Sequence, residues 1–291
     1  MGQSTSGNSS SNYTTKPAAP ARPNPDDYES YVRWEGGKFA EGRFRYAIKG
    51  TWIRPRSKEG QHCVVKHSKA SYTWKQTDWD TTVKIYKEAE ELAKGFNTFS
   101  GTDRPVHFTE VVVVKCLYRK DPSNPSGPRL NEYCTTEDYL YGNFKKWVNN
   151  YGVCSDEALN TATTMPAFMH WSWYHTGGEK MIADLQGVRS DKAYTLTDPV
   201  ILSLSGGYGA TDMGVEGMAI FFLFHKCNSF CEKLPKPSVN DFKSQIPQAE
   251  LRSCMQLVAS VRQATTYTCE LRLSVQVRVQ LVARFRAIAS K

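Results

Sequence analysis

A short stretch of the sequence concentrates side chains that bind metal ions. His225, Cys227 and Cys231 lie within one short segment, and imidazole and thiolate are the ligands of tetrahedral zinc sites. His170 is the favoured fourth ligand and His175 the alternative, since spacing alone does not separate them. A helix holding these residues must end or distort, because His225 and Cys227 would project to nearly opposite sides of it. Two buried cysteines and a core histidine would give the same pattern.

The same stretch carries acid and amide side chains that suit a hard cation. Asp184 and Gln186 are two residues apart at the end of a predicted strand, so both are expected on one face. Asp198 precedes Pro199, and a rigid turn would fix its carboxylate. Magnesium takes oxygen ligands and needs only one or two protein carboxylates. Taken singly, each of these residues is more often a turn or cap residue.

Two further features suit an anion. A glycine-rich segment, with Gly206, Gly207, Gly209, Gly214 and Gly217, precedes a predicted helix, where backbone N–H groups can meet a phosphate. Its spacing matches neither the P-loop nor the dinucleotide fingerprint, so a cluster of tight turns is the default interpretation. A lysine at position 66 ends an apolar strand and could reach such an anion.

Hydrophobic periodicity predicts the elements that position these residues. Strands are expected at residues 44–52, 63–66, 108–118 and 181–188. A helix is predicted over residues 79–94, with Asp78 or Asp80 as N-cap and Gly95 after its end. Its apolar stripe contains Val83, Tyr86, Ala89, Leu92 and Ala93. A buried helix is expected over residues 215–224, and the alternation of residues 271–285 favours a strand.

Length, charge and cysteine content bound the class of protein. The chain has 291 residues, 40% of them hydrophobic, with a net charge of +8 and eight cysteines. The length predicts one main domain, and the charge suits an anionic partner without specifying a fold. Because no apolar leader precedes the cysteines, a reducing, cytoplasmic location and a metal site are predicted rather than a disulfide framework. No apolar run is long enough to span a bilayer.

The N-terminal residues predict a disordered tail. Residues 1–27 hold almost no large apolar side chain, so they cannot offset the entropy of ordering. The start, Met1 to Ser6, fits the myristoylation pattern with Gly2 exposed after removal of Met1. No polybasic cluster supplies a second anchor, so membrane contact is expected only if Gly2 is acylated.

The order of several motifs together resembles one known family. The motifs are Gly42-Arg43-Phe44-Arg45, Val64-Val65-Lys66, Thr136-Glu137-Asp138-Tyr139-Leu140-Tyr141-Gly142-Asn143-Phe144-Lys145-Lys146-Trp147-Val148-Asn149-Asn150-Tyr151-Gly152, Ala167-Phe168-Met169-His170-Trp171, Asp184-Leu185-Gln186-Gly187-Val188, Leu196-Thr197-Asp198-Pro199 and His225-Lys226-Cys227-Asn228-Ser229-Phe230-Cys231. In this order they closely resemble the alpha-kinases, a family of atypical protein kinases. The resemblance extends from Trp34 to Leu234.

The resemblance implies a fold, an activity and roles for individual residues. The implied fold is a two-lobed α+β kinase with an antiparallel N-lobe sheet, one N-lobe helix and a zinc-stabilised C-lobe. The implied activity is transfer of the ATP γ-phosphate to Ser or Thr of a protein. The residues that would bind ATP are Arg45, Lys66 and Glu137. Those that would act in transfer are Asp184 as base and Gln186 and Asp198 as Mg²⁺ ligands. Those that would hold a structural Zn²⁺ are His170, His225, Cys227 and Cys231.

On this interpretation, residues 34–234 form the catalytic domain and residues 235–291 a basic C-terminal extension with no family counterpart. The interval from Gly187 to Leu196 is longer than the family's link between the two acidic motifs. A nucleotide-binding pseudokinase or scaffold is therefore the first rival, and a zinc-stabilised nucleic-acid-binding module the second. Intact Lys66, Asp184 and Asp198 oppose the first rival. The lack of a basic and aromatic recognition motif opposes the second, so no nucleic-acid partner is expected.

Overall fold

Five antiparallel strands form the N-terminal sheet. They are β1 (Tyr31–Glu41), β2 (Arg45–Arg54), β3 (His62–Ser68), β5 (Val112–Lys115) and β6 (Tyr133–Asp138). Their order across the sheet is β1-β2-β3-β6-β5. The computed structural model describes residues 23–118, 127–238 and 275–290, with residues 248, 249 and 252. A small core of Trp52, Cys63 and Val65 covers this sheet, so the predicted antiparallel N-lobe is confirmed.

The long helix α1 (Asp80–Ser100) connects the two halves of the molecule. It begins within one residue of the predicted start, but the N-cap is Trp79 with no side-chain capping bond, so the prediction of Asp78 or Asp80 as N-cap is wrong. The helix passes through Gly95 and is capped by Gly101, which has the left-handed conformation of a helix terminator (φ 58°). A Cβ atom on Gly95 would lie 2.7 Å from the Trp171 ring. The prediction that Gly95 ends the helix is therefore wrong, because this glycine serves close packing between helices.

Within the described residues, the C-terminal half combines small sheets with four helices. A four-stranded sheet has the order β4 (Val106–Phe108), β10 (Tyr194–Thr197), β9 (Gln186–Arg189) and β7 (Lys145–Lys146), and a pair is formed by β8 (Lys180–Ala183) and β11 (Val200–Ser203). The helices are α2 (Asp156–Asn160), α3 (Thr164–His175), α4 (Gly214–Phe224) and α5 (Val275–Ala289). Short 3₁₀ helices cover Pro25–Asp27, Arg56–Lys58 and Gln76–Trp79.

Two single strands predicted from the sequence are each divided in the structure. Residues 108–118 contribute to β4 and β5, which lie in different sheets. Residues 181–188 form β8 and β9, separated where Asp184 takes a left-handed backbone conformation (φ 55°). Unbroken apolar runs do not reveal such changes of sheet, since β-branched residues favour both strands equally. The break places Asp184 at a corner between two sheets.

The long interval between the acidic motifs is a β-hairpin. Strands β9 and β10 pair antiparallel, with Gln186 opposite Thr197 and Arg189 opposite Tyr194. The turn closes through a hydrogen bond from the Ser190 N–H to the Ala193 carbonyl (2.9 Å). The additional residues therefore lie at the far end of the hairpin. Its other end brings Gln186 next to Asp198, whatever the length of the turn.

The strand prediction is wrong over residues 275–285, because helix α5 occupies them, and residues 271–274 lie outside the described residues. Its buried residues Val277, Leu281, Phe285 and Ile288 recur every three or four positions, as one face of a helix does. Val275 and Val279, which suggested alternation, are 77% and 63% exposed. The packing of the helical stripe against the C-terminal half outweighs the local strand pattern.

Helix α5 is attached to the rest of the fold by aromatic contacts and ion pairs. The Phe285 ring lies 5.8 Å from that of Trp173 and 6.1 Å from that of Phe222. Arg278 pairs with Glu216 of α4, and Arg286 pairs with Glu179. The end of the C-terminal extension is thus packed onto the core, although most of the residues between 239 and 274 lie outside the described residues.

The predicted N-terminal tail lies almost entirely outside the described residues, as does Gly2. Pro25–Asp27, at its end, forms a 3₁₀ helix capped by the Asn24 side chain. Within the described ranges, no helix combines the length and the apolar character needed to cross a membrane.

Candidate functional site

A buried ion-pair network lies where the N-terminal sheet meets the β9–β10 hairpin. Lys66, in the middle of the sheet on β3, is 7% exposed, and Glu137 on the neighbouring β6 is 3% exposed. The Lys66 ammonium pairs with the Glu137 carboxylate and with Asp198 Oδ2, the latter at 2.8 Å. The structure thus brings together three predicted residues that are far apart in the sequence.

Arg45 completes the charge balance of this network. Its Nη2 atom donates to Asp198 Oδ1 at 2.8 Å, so each Asp198 oxygen meets a cation. Burial alone would raise the pKa of Asp198, but Arg45 and Lys66 outweigh it and hold the pKa well below its usual value. Burial likewise opposes the charge of Lys66, and the carboxylates of Asp198 and Glu137 outweigh it, so the pKa of Lys66 is raised. Arg45, Lys66 and Asp198 are therefore charged at neutral pH.

Three hydroxyl groups surround Glu137, and none was singled out as a site residue from the sequence. Its Oε2 atom accepts hydrogen bonds from Thr109 (2.6 Å), Thr197 (2.7 Å) and the Tyr86 phenol (3.0 Å). The apolar stripe of the predicted helix placed Tyr86 in the core. This is correct for its ring but gives no role to its hydroxyl group. No sequence signal marks Thr109, because its partner lies on another strand.

Asp184 forms a second cluster with Gln186 and Lys146. The Gln186 Nε2 donates to Asp184 Oδ2 at 3.0 Å, and the Lys146 ammonium donates to Asp184 Oδ1 at 2.8 Å. Burial raises the pKa of Asp184, and Lys146 opposes that rise only in part. Lys146, on the short strand β7 beside β9, was not among the predicted site residues. It lies within one of the motifs that carry the family resemblance, but the sequence assigned it no role.

The two clusters form one site. Asp198 follows β10, whose last residue, Thr197, pairs with Gln186. The charge of Asp198 raises the pKa of Asp184, and the charge of Arg45 lowers it. Asp198 has a left-handed backbone (φ 51°), as has Asp184, and such non-glycine residues persist only where surrounding contacts fix them. The predicted set Arg45, Lys66, Glu137, Asp184, Gln186 and Asp198 is thus brought to one region.

The glycine-rich segment is organised by a carboxylate of its own. Asp212 accepts hydrogen bonds from the backbone N–H groups of Ser203 (2.8 Å), Gly214 (2.9 Å) and Tyr208 (3.3 Å). It also accepts from the Ser203 hydroxyl at 2.6 Å. Because Asp212 occupies these donors, the tight-turn interpretation of this segment fits the structure better than an anion cradle.

His170, His225, Cys227 and Cys231 form a second, separate site. Their ligand atoms all lie within 4.8 Å of one another. Cys227 Sγ is 3.7 Å from His170 Nδ1, and Cys231 Sγ is 3.5 Å from His225 Nε2. A tetrahedral zinc with ordinary bond lengths separates its N and S ligands by about 3.6 Å. The donor set and spacing therefore fit zinc.

The local chain geometry explains how these four side chains converge. Helix α4 ends at Phe224, and His225 is extended (φ −68°, ψ 123°), so the distortion expected between His225 and Cys227 occurs. His170 is fully buried on α3, and its Nε2 lies 3.0 Å from the Pro235 carbonyl. Such an outer contact fixes the ring so that the other nitrogen faces a metal.

His175, the alternative ligand, is not part of this cluster. Its ring stacks on Trp171 with centroids 4.4 Å apart. The hydrogen bond between the two thiols of the cluster lowers the pKa of Cys227 and raises the pKa of Cys231. A divalent cation would allow both sulfurs to ionise.

Comparison with known proteins places this arrangement in a family. A model described as "Alpha-kinase family" matches residues 40–231. Alpha-protein kinase vwkA of Dictyostelium discoideum is 28% identical over 199 residues, which cover 67% of this chain and 30% of that protein. Transient receptor potential cation channel subfamily M member 7 of Rattus norvegicus is 35% identical over 184 residues, or 58% of this chain and 9% of the channel. The chain thus spans less than a third of these relatives' length.

Solved structures give the same result. An alpha kinase from Entamoeba histolytica aligns with a TM-score of 0.58 at 26% identity, over 72% of this chain and 80% of that one. The alpha-kinase domain of myosin-II heavy chain kinase A in complex with AMP-PNP aligns with a TM-score of 0.57 at 25% identity, over 69% of this chain and 86% of that domain.

Proposed function

The chain belongs to the alpha-kinase family, and on that premise we propose that it binds ATP and transfers the γ-phosphate to Ser or Thr of a protein. One observation carries the proposal: the buried Lys66 and the half-buried Arg45 both pair with Asp198, beside Asp184. Phosphoryl transfer depends mainly on positioning and electrostatic stabilisation, and this site supplies two cations, two acids and an amide.

Lys66 and Arg45 would bind the phosphates of ATP. Both now pair with Asp198 at 2.8 Å, so an incoming triphosphate would replace a carboxylate with a phosphate as the partner of each cation. Glu137 would stay paired with Lys66 and hold it in place. The family resemblance implies that Glu137 also lies at the hinge beside the adenine.

Gln186 and Asp198 would hold Mg²⁺. Their chemistry fits this ion, since a carboxylate and an amide oxygen are hard ligands. The Gln186 amide donates its N–H to Asp184, which turns its carbonyl oxygen away from that residue. Magnesium at this position would offset the negative charge of the phosphates.

Asp184 would act as the base. The acceptor hydroxyl oxygen forms a bond to the γ-phosphorus, the bond from that phosphorus to the bridging oxygen breaks, and ADP leaves. The hydroxyl proton passes to Asp184, whose raised pKa, caused by burial, suits proton uptake. Lys146, at 2.8 Å, orients the carboxylate.

The four-ligand cluster would hold a structural Zn²⁺. His170, His225, Cys227 and Cys231 supply the full tetrahedral set, which leaves no open position for a reacting water. We further propose that residues 34–234 form the catalytic unit. A cytoplasmic location stays a prediction, as does membrane contact through an acylated Gly2.

Incubation with γ-labelled ATP, Mg²⁺ and a generic basic protein tests the proposal. We expect label in the protein and, after acid hydrolysis, in phosphoserine or phosphothreonine. The control is Asp184→Ala, which should bind ATP without transferring label. ATP binding with no transfer by the unaltered protein would favour the pseudokinase alternative instead.

A further inference from the structure

The phenol of Tyr86 lies at the centre of the charged network. Tyr86 projects from α1 and is 5% exposed. Its hydroxyl lies 3.0 Å from Glu137 Oε2 and 3.3 Å from Asp198 Oδ1, and it accepts a hydrogen bond from the Asp198 backbone N–H at 3.0 Å. This one group therefore touches both acids that pair with Lys66.

The hydrogen-bonding capacity of a phenol defines what it does here. It has one proton to donate and can accept through its lone pairs. The Asp198 N–H occupies an acceptor position. The phenol proton has the Glu137 and Asp198 carboxylates and Thr197 Oγ1 within reach.

The contact with Asp198 constrains an unusual backbone. Asp198 is left-handed, with φ at 51°, and only Asn, Asp and Gly adopt this conformation with any ease. Pro199 fixes the chain on one side of Asp198. On the other side, the Tyr86 hydroxyl accepts a hydrogen bond from the Asp198 N–H. Together these contacts set the direction in which the carboxylate leaves the backbone.

Helix α1 supplies the contact between Tyr86 and Asp198. In protein kinases of the common type, a helix glutamate pairs with the β3 lysine. Here the partner of Lys66 is Glu137 on the neighbouring strand β6, and α1 contributes a phenol instead. A change in the position of α1 would therefore reach the site through Tyr86.

We propose that Tyr86 is a positioning residue that holds Asp198 ready for Mg²⁺ and couples α1 to the phosphate site. The proposal rests on the proposed ATP-binding function. Loss of the hydroxyl should weaken the Mg²⁺-dependent part of nucleotide binding while the contacts of Lys66 and Arg45 remain. A hydrogen bond to a charged group contributes enough to expect a change of about tenfold or more.

The test compares Tyr86→Phe with the unaltered protein by calorimetric titration of ATP, with and without Mg²⁺. Tyr194→Phe is the matched control. That phenol is 2% exposed, packs edge-on against Trp147 at 5.4 Å, and makes no side-chain hydrogen bond among the described residues. Melting curves accompany each titration, so that a loss of folding is recognised.

We expect Tyr86→Phe to lose about tenfold in ATP affinity with Mg²⁺ present and less than about threefold without it. The transfer assay should need about tenfold more Mg²⁺ for half-maximal rate. Tyr194→Phe should match the unaltered protein. Equal ATP affinities of Tyr86→Phe and the unaltered protein in Mg²⁺, or equal losses with and without Mg²⁺, would overturn the proposal.

Failure of the proposed function gives a different result. If the unaltered protein binds ATP in a Mg²⁺-dependent way but transfers no phosphate, the kinase assignment fails and the Tyr86 result still decides this proposal. If the unaltered protein binds no ATP, both proposals are wrong.

Discussion

The network of Arg45, Lys66, Glu137 and Asp198, proposed above to bind phosphate and called the phosphate site here, differs from the metal-ligand cluster in how its polar groups are compensated. In the phosphate site, Lys66 and Arg45 are neutralised by Glu137 and Asp198 before any ligand arrives. In the cluster, His170, His225, Cys227 and Cys231 bring lone pairs together with only weak sulfur hydrogen bonds between them. The first site can fold empty, whereas the second needs an ion to offset the cost of burial.

The largest expected effect is loss of the ion. Cys227→Ala should abolish zinc binding and lower the melting temperature by more than about 10 °C, since binding energy at a structural zinc is also folding energy. Elemental analysis and thermal melting check this. Cys134→Ala, which removes a buried thiol from the N-terminal sheet, measures the cost of a lost sulfur alone. Folded protein without zinc, or equal melting temperatures of Cys227→Ala and Cys134→Ala, would contradict the claim that the cluster needs an ion.

Breaking the charge balance of the phosphate site should cost less. Lys66→Ala leaves Glu137, 3% exposed, without its cation, and loss of one partner of a buried pair destabilises a protein by about 3–5 kcal/mol. We expect Lys66→Ala to lose stability, measured by denaturant unfolding, and ATP affinity, measured by titration. Lys69→Ala, whose partner Glu41 is exposed, is the control. Undiminished ATP affinity in Lys66→Ala would contradict its assigned role.

We expect helix α5 to contribute to the stability of the C-terminal half, which contains the metal-ligand cluster. Phe285→Ala removes a fully buried ring beside Trp173 and Phe222, at an expected cost of about 3 kcal/mol. Val279→Ala, on the exposed side of the same helix, should change the free energy of unfolding by less than about 0.5 kcal/mol. An equally stable and more active Phe285→Ala would indicate that the extension is autoinhibitory.

The smallest effect should appear in the pH profile. Asp184 must be ionised to accept a proton, so the rate falls as the pH drops through its pKa. Lys146→Met removes the cation that opposes the raised pKa of Asp184, and the acid limb of kcat should move to higher pH. Lys145→Met, whose lysine pairs with Glu157 instead, should leave the limb in place. Coincident limbs would mean that Asp184 is not the titrating base.

The sequence predicted local features better than distant contacts. The grouping of His225, Cys227 and Cys231, helix α4 and the apolar stripe of α1 follow from spacing and periodicity that lie within one segment, whereas spacing alone left His170 and His175 as alternatives. Tyr86, Thr109 and Lys146 were given no role because their roles come from partners 28 to 112 residues away. Helix α5 was misjudged because alternation in a short window cannot report the tertiary packing that overrides it.

The central claim is that the charged network, and not the metal-ligand cluster, carries out phosphoryl transfer. Single-turnover mixing of protein loaded with Mg²⁺ and γ-labelled ATP against a basic protein tests it directly, in unaltered and Asp184→Ala forms of equal zinc content. We predict rapid transfer by the unaltered protein and transfer at least about 100-fold slower from equally bound ATP by Asp184→Ala. Equal rates in the two forms, or no transfer by the unaltered protein, would contradict the account.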